Sequence, residues 1–175
     1  MFTILVVEDN PDMRELFCTV LADSGYRAIP ATDGLDALKI MEKEYIDLMV
    51  ADVMMPNMDG YELTKSLRDA NYDLPILIVT AKDQFDDIQL GFRAGTDDYM
   101  IKPINVKELV LRVEALLRRA KIDHKPADQK QQPERRQDQM RHLPASFLRN
   151  ARVRIFVFAG CRLKYAAAHR RSQNK

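Results

Sequence analysis

Cysteine is scarce in this chain of 175 residues: only Cys18 and Cys161 occur, far apart and in regions of different composition. That argues against a disulfide framework and makes a reducing cytoplasm the default location. No apolar run approaches the roughly 20 residues that a bilayer-spanning helix needs. The opening Met1-Phe2-Thr3 has no basic stretch ahead of its apolar run, so no signal peptide is expected. Net charge is nearly absent as well, at +1, but this balance conceals two unlike regions. Residues 1–122 carry 14 Lys and Arg against 22 Asp and Glu, whereas residues 123–175 carry 13 against 4. An acidic stretch followed by a basic one is two objects: a domain is expected over 1–122 and a basic linker or tail over 123–175. The hydrophobic share of 46% is enough for a real core, and 30% charged residues fit a soluble protein.

The chain is organised around Asp47-Leu48-Met49-Val50-Ala51-Asp52-Val53-Met54-Met55-Pro56. Leu48 to Ala51 reads as a strand buried on both faces, running straight into the Asp52 carboxylate and a Pro56/Asn57/Asp59/Gly60 turn. A carboxylate there is a helix cap, a metal ligand or a nucleophile, and Asn57 or Asp59 is better placed to cap. Around this stretch strand and helix patterns alternate. Strands are expected at Thr3–Val7, Tyr26–Ile29, Ile76–Thr80 and Asp97–Ile101. The first helix begins at Asn10-Pro11, carries Met13, Leu16, Phe17, Val20 and Leu21, and ends near Gly25. Further helices follow Asp33-Gly34 (Leu35, Leu38, Met41), Asp59 to Ala70 (Leu63, Leu67), Asp83 to Ala94 before Gly95, and Val106 to Arg119 (Leu109, Val113, Leu116, Leu117). Five strand–helix units predict an α/β fold, a doubly wound parallel sheet with helices on both sides.

In open parallel sheets, ligands sit beyond the carboxyl ends of the strands. There the first strand offers Glu8-Asp9, the third Asp52, the fourth Thr80 and the fifth Lys102, while the second ends in Ile29-Pro30-Ala31 and offers nothing. With the second strand at an edge, order 2-1-3-4-5, these groups converge on one crevice, since neighbouring strands are under 5 Å apart. Three crowded carboxylates need a cation to stay ionised, and hard oxygen ligands with open positions favour Mg²⁺. Lys102 adds a point charge and Thr80 a hydroxyl. That set suits transfer of a phosphoryl group to Asp52, a reaction that needs alignment and charge neutralisation above all.

Residues 2–120 resemble the receiver domain of two-component response regulators, through Val6-Val7-Glu8-Asp9-Asn10, Asp52-Val53-Met54-Met55-Pro56 with Asp59-Gly60, Thr80-Ala81, and Tyr99 with Lys102-Pro103. The resemblance implies a flavodoxin-like fold, phosphorylation of Asp52 by a sensor histidine kinase, and Mg²⁺ held by Asp9, Asp52 and the Met54 carbonyl, with Glu8 acting through a water. It implies a cis Lys102–Pro103 bond and a switch in which Thr80 turns toward the phosphoryl group and Tyr99 moves inward. Gly95-Thr96-Asp97-Asp98-Tyr99 with Glu108, Arg112 and Arg119 is similar to the subfamily that dimerises through its fourth helix, fifth strand and fifth helix. There Asp97 would pair with Arg112, and Asp98 with Arg119, across a two-fold axis. Between Lys82 and Arg93 this chain has no basic residue to partner Glu108, and Ile104 stands where an aromatic is common.

Plainer roles compete at each position. Glu8 and Asp9 could be the acidic start of a helix, Thr80 an N-cap, Tyr99 a packed strand residue, and Lys102 a solvated surface lysine. Met54 and Met55 read as core and turn filler apart from the Met54 carbonyl. Cys18, placed off the apolar stripe of its helix, and His124, His142 and His169 are assigned no role. A small-molecule aspartyl-phosphate hydrolase would want a second acid where Met54 stands, and a flavin carrier would be repelled by Glu8-Asp9. The expectation is a signalling switch and not an enzyme, beyond self-catalysed phosphoryl transfer and dephosphorylation.

Residues 123–143 lack periodicity and read as a disordered linker. Ile155–Cys161 is apolar with arginines on both sides, open to contact with nucleic acid, a membrane surface, or nothing. Relatives with this dimerisation face carry a winged helix after the linker, and the 52 residues from His124 onward are too few for one. The region is expected to be an altered reading of such a domain, for instance by frameshift. DNA binding and transcription regulation are therefore left open beside a stand-alone receiver that acts by protein–protein contact.

Overall fold

The computed structural model describes residues 1–123. Within them lie strands β1 (Thr3–Val7), β2 (Arg27–Ala31), β3 (Leu48–Ala51), β4 (Ile76–Thr80) and β5 (Asp98–Ile101). Helices α1 (Pro11–Asp23), α2 (Gly34–Met41), α3 (Gly60–Asp69), α4 (Phe85–Ala94) and α5 (Val106–Asp123) alternate with them. Every strand pairs in parallel with its neighbours in the order β2-β1-β3-β4-β5. This is the flavodoxin-like doubly wound sheet.

The strands are short apolar runs because both of their faces are covered. Successive side chains leave a strand on opposite sides, and the core divides accordingly. Leu5, Val7, Met49, Ala51, Ile76 and Ile78 pack with Leu38 of α2 and Leu63 and Leu67 of α3. Ile4, Val6, Leu48, Val50, Leu77 and Val79 pack with Phe17 of α1 and Leu109 and Val113 of α5. Each fully buried side chain of this size contributes about 1.5–3 kcal/mol. Local signals set the helix starts. Asn10 accepts from Met13 N at 3.0 Å with Pro11 in the first turn, and Asp33 accepts from Asp36 N at 2.8 Å. Asp59 and Glu62 form a reciprocal capping box, so Asp59, not Asn57, is the cap of α3.

Several sequence expectations shift. The second strand runs to Ala31, through Pro30: it is the sheet edge, and the proline nitrogen faces away from β1, where no donor is required. Helix α4 starts at Phe85 with Gln84 as its N-cap, which removes the capping role for Thr80. On α1, Leu16 is exposed while Cys18 packs against the core beside Phe17, reversing the expected stripe at these two positions. Met54 is exposed and not core, whereas Met55 packs against the α2–α3 side of the sheet. Lys102–Pro103 is cis, as expected. The linker, the Ile155–Cys161 run, Cys161, the three histidines and the winged-helix question all lie outside the described residues. Among those described, no helix is long and apolar enough to cross a membrane.

One glycine ties the fold to the end of β3. Gly60 opens α3 directly against the chain after the strand, its N–H donating to Val53 O at 3.1 Å. A Cβ there would collide with the Asp52 carbonyl oxygen, a main-chain atom that cannot swing aside. Gly60→Ala is expected to cost roughly 1–3 kcal/mol of unfolding free energy, as overpacking does. Denaturant melts that show wild-type stability would contradict this close approach.

Candidate functional site

The parallel register brings the strand ends level. Val7 lies beside Ala51, Ala51 beside Ile78, and Thr80 beside Ile101, so the residues that follow emerge at one edge of the sheet. Glu8 and Asp9 follow β1, Asp52 follows β3, Thr80 is the last residue of β4, and Lys102 follows β5. Lys102 Nζ donates to Glu8 Oε2 at 2.8 Å and to Asp52 Oδ2 at 2.7 Å. Glu8 and Asp52 are 1% and 5% exposed, so this is a buried bridge and not a surface pair. One ligand oxygen from each of Glu8, Asp9 and Asp52 lies within 4.8 Å of the others. The three carboxylates and the ammonium expected at this crevice therefore come together, with Asp9 on the exposed side.

Electrostatics follow from the burial. Desolvation pushes the Glu8 carboxyl above its ordinary pKa and outweighs the opposing pull of Lys102. Desolvation also acts on Lys102, downward, but its hydrogen bonds to Asp52 and Glu8 together leave the ammonium with a raised pKa. Glu8 Oε1 is buried and has no hydrogen-bond partner among the described residues. A lone buried carboxylate oxygen is costly unless something else satisfies it. With the Asp9 and Asp52 carboxylates it forms a set of hard oxygen ligands that could hold a divalent cation.

The remaining sequence-predicted residues fall as follows. Thr80 is fully buried, and its Oγ1 receives only a long, 3.4 Å contact from Lys82 N. Met54 N donates to Asp52 Oδ1 at 3.2 Å, so the exposed Met54 belongs to the site through its main chain. Tyr99 is already inward, 9% exposed, with its hydroxyl donating to Lys82 O at 3.0 Å. Its ring lies against Gly91, where an added Cβ would come within 3.1 Å. On the α4–β5–α5 side, Arg112 takes both oxygens of Asp98 at 2.9 Å and Glu108 at 2.7 Å within the one chain. Glu108 thus has a partner that the sequence reading did not foresee. Asp97 Oδ2 accepts from Arg68 Nη2 and Ile76 N, both at 2.8 Å, while Arg119 lies exposed on α5.

Two residues went unnoticed in the sequence. Tyr61, in the first turn of α3, donates to Asp87 O at 2.8 Å and lies 3.1 Å from the Tyr99 hydroxyl. Burial first, and the Tyr99 contact second, push its pKa well up. With both hydroxyl protons directed at main-chain carbonyls, the oxygen–oxygen contact has no proton of its own unless one hydroxyl turns away. Arg14 is the second: it reaches back from α1 to the main chain of Glu8 and Asp9. Only a half-apolar residue next to a known turn marked Tyr61, and helix spacing placed Arg14 on no recognisable face.

Because the native pKa of Glu8 is raised, its stabilising contribution is present below its unfolded pKa and is lost as pH rises through the native one. Glu8→Gln should therefore raise the melting temperature at neutral pH in Mg²⁺-free buffer and change it little near pH 4, each pKa unit being worth about 1.4 kcal/mol. A lower melting temperature at neutral pH would mean that the Lys102 pairing outweighs the desolvation.

Comparison with known proteins agrees with this geometry. The family described as response regulator receiver domain matches residues 4–114. The response regulator MprA of Mycobacterium leprae is 43% identical over 120 residues, covering 69% of this chain and 53% of that protein. The alkaline phosphatase synthesis transcriptional regulatory protein PhoP of Bacillus subtilis is 48% identical over 119 residues, covering 68% and 50%. The chain thus spans about half the length of these curated relatives. Among solved structures, the receiver domain of the Francisella response regulator 1452 superposes with a TM-score of 0.66 at 33% identity, over 69% of this chain and 99% of that one. The Vibrio cholerae chemotaxis protein CheY4 superposes with a TM-score of 0.63 at 30% identity, over 66% and 98%. Five alternating units, a lysine-bridged acid cluster at their strand ends and this match across the described domain have one reading: the chain belongs to the response regulator receiver domain family.

Proposed function

We propose that Asp52 accepts a phosphoryl group from the phosphohistidine of a sensor kinase, in the cytoplasm, and that the modified domain signals through its α4–β5–α5 side. The observation that carries this reading is the Lys102 ammonium 2.7 Å from Asp52 Oδ2, at the centre of the acid cluster. An Asp52 oxygen forms a bond to phosphorus as the phosphorus–nitrogen bond of the donor breaks, and the freed histidine keeps the electron pair. Lys102 offers positive charge to the incoming phosphoryl oxygens, and the Thr80 hydroxyl supplies a donor from the neighbouring strand end. Bound by Glu8, Asp9, Asp52 and the Met54 carbonyl, Mg²⁺ would supply further neutralisation of phosphoryl charge. The aspartyl phosphate is a stored signal and not a step of turnover on an outside substrate.

The added charge biases an element with two packings. Thr80 and Tyr99 are the contacts through which α4 would respond, since Tyr99 packs on Gly91 and holds Lys82 O. Helix α4, β5 and α5 expose Phe92, Ile101 and Leu111, and Glu108, Leu111 and Arg112 share one face of α5. That side suits a phosphorylation-dependent homodimer in which Asp97, Asp98, Glu108 and Arg112 exchange their present partners for those of a second copy and the exposed Arg119 joins them. The printed name of the Bacillus subtilis relative, a transcriptional regulatory protein, favours transcription as the output.

The 175-residue chain incubated with a small phosphodonor and Mg²⁺ should gain one phosphoryl group by intact mass, and Asp52→Asn should gain none. Lys102→Ala should slow the gain by roughly a hundredfold, in line with loss of one preorganised electrostatic group. Phosphorylation that persists in Asp52→Asn would refute the assignment.

A further inference from the structure

Arg14 lies near the start of α1, close in sequence to Asp9, Asp12 and Glu15. A guanidinium among acids ordinarily takes a carboxylate with both arms of its fork. Among the described residues Arg14 is in no ion pair with any of them. Its Nη1 instead donates to the main-chain carbonyls of Glu8, at 2.7 Å, and Asp9, at 3.1 Å. These two carbonyls belong to the peptide units on either side of the Asp9 Cα. Peptide units are planar, so holding both of them restrains the two soft backbone torsions of Asp9. Neighbouring residues are anchored by other means: Glu8 N donates to Ala31 O at 3.1 Å, and Asn10 caps α1. The Asp9 carboxylate itself is exposed and in no ion pair among the described residues. Its place beside Glu8 and Asp52 is thus set through its main chain.

We infer that Arg14 is a positioning residue that clamps both peptide units of Asp9 and so presents the Asp9 carboxylate, already aimed, to a divalent cation. This rests on the reading of the acid cluster as a Mg²⁺ site. The two ways in which Arg14 could influence that site have opposite signs. As a nearby positive charge it would repel the ion, and its removal would tighten binding. As a clamp it preorganises a ligand, and its removal weakens binding.

The test is calorimetric titration of Mg²⁺ into the 175-residue chain, wild type against Arg14→Gln and Arg14→Lys, with melting curves recorded in the absence of Mg²⁺. Arg14→Gln should bind Mg²⁺ about tenfold more weakly, the low end of what loss of an outer partner costs a metal site. Arg14→Lys keeps the charge on a shorter, single-point donor and should fall between the two. Should the Gln variant fail to melt cooperatively, the Lys variant decides: weaker binding at unchanged charge supports the clamp, and wild-type binding overturns it. Equal or tighter binding by a folded Arg14→Gln also overturns it, leaving the metal reading intact. Wild-type protein that binds no Mg²⁺ overturns both.

Discussion

One ammonium group shared by two buried carboxylates governs how this domain is built and what it can do. Lys102 reaches from the end of β5 across the sheet to Glu8 after β1 and Asp52 after β3, linking strands that are not neighbours. Ionised groups placed this deep cost several kcal/mol each in lost hydration, and the pairing returns that only in part. The domain carries this cost on a core that fills both faces of the sheet. Glu8 records the imbalance: its pKa is raised, and one of its oxygens is left without a partner. Glu8, Asp9 and Asp52 together form an acid cluster that could hold a cation.

The rest of the molecule can be understood as the means of holding that cluster level. Parallel pairing aligns the strand ends, and the caps at Asn10, Asp33 and Asp59 start α1, α2 and α3. Gly60 lets α3 begin against the Asp52 carbonyl. Tyr99, Tyr61 and Gly91 join β5 to α3 and α4, and the Tyr99 hydroxyl ties them to Lys82 O.

Much of this was legible in the residues, for definite reasons. Runs such as Leu48–Ala51 and Ile76–Thr80 end in polar residues at their carboxyl ends, and a parallel sheet leaves those ends nowhere to go but one edge. Charged and hydroxyl residues at strand ends are therefore readable before any coordinates exist. What escaped was set by tertiary contact. Pro30 could extend a strand only because β2 is an edge, and Leu16 and Cys18 exchanged places because the covered side of α1 is decided by α5 and β1 packing, not by hydrophobicity alone. Arg14 and Tyr61 act on main-chain carbonyls, a kind of contact that no residue pattern announces. The pairing of Arg112 with Asp98 is a tertiary contact between α5 and β5, whereas its pairing with Glu108 four residues earlier on the same helix was readable in the spacing and was overlooked.

In solution, Lys102 sits between Glu8 and Asp52. Titration of its side-chain nitrogen by NMR, identified by comparison with Lys102→Met, tests it without any metal or phosphodonor. Its pKa should lie above that of ordinary lysines and fall clearly in Asp52→Asn. A Lys102 ammonium that titrates as an exposed lysine does, unmoved by loss of the Asp52 charge, would contradict it.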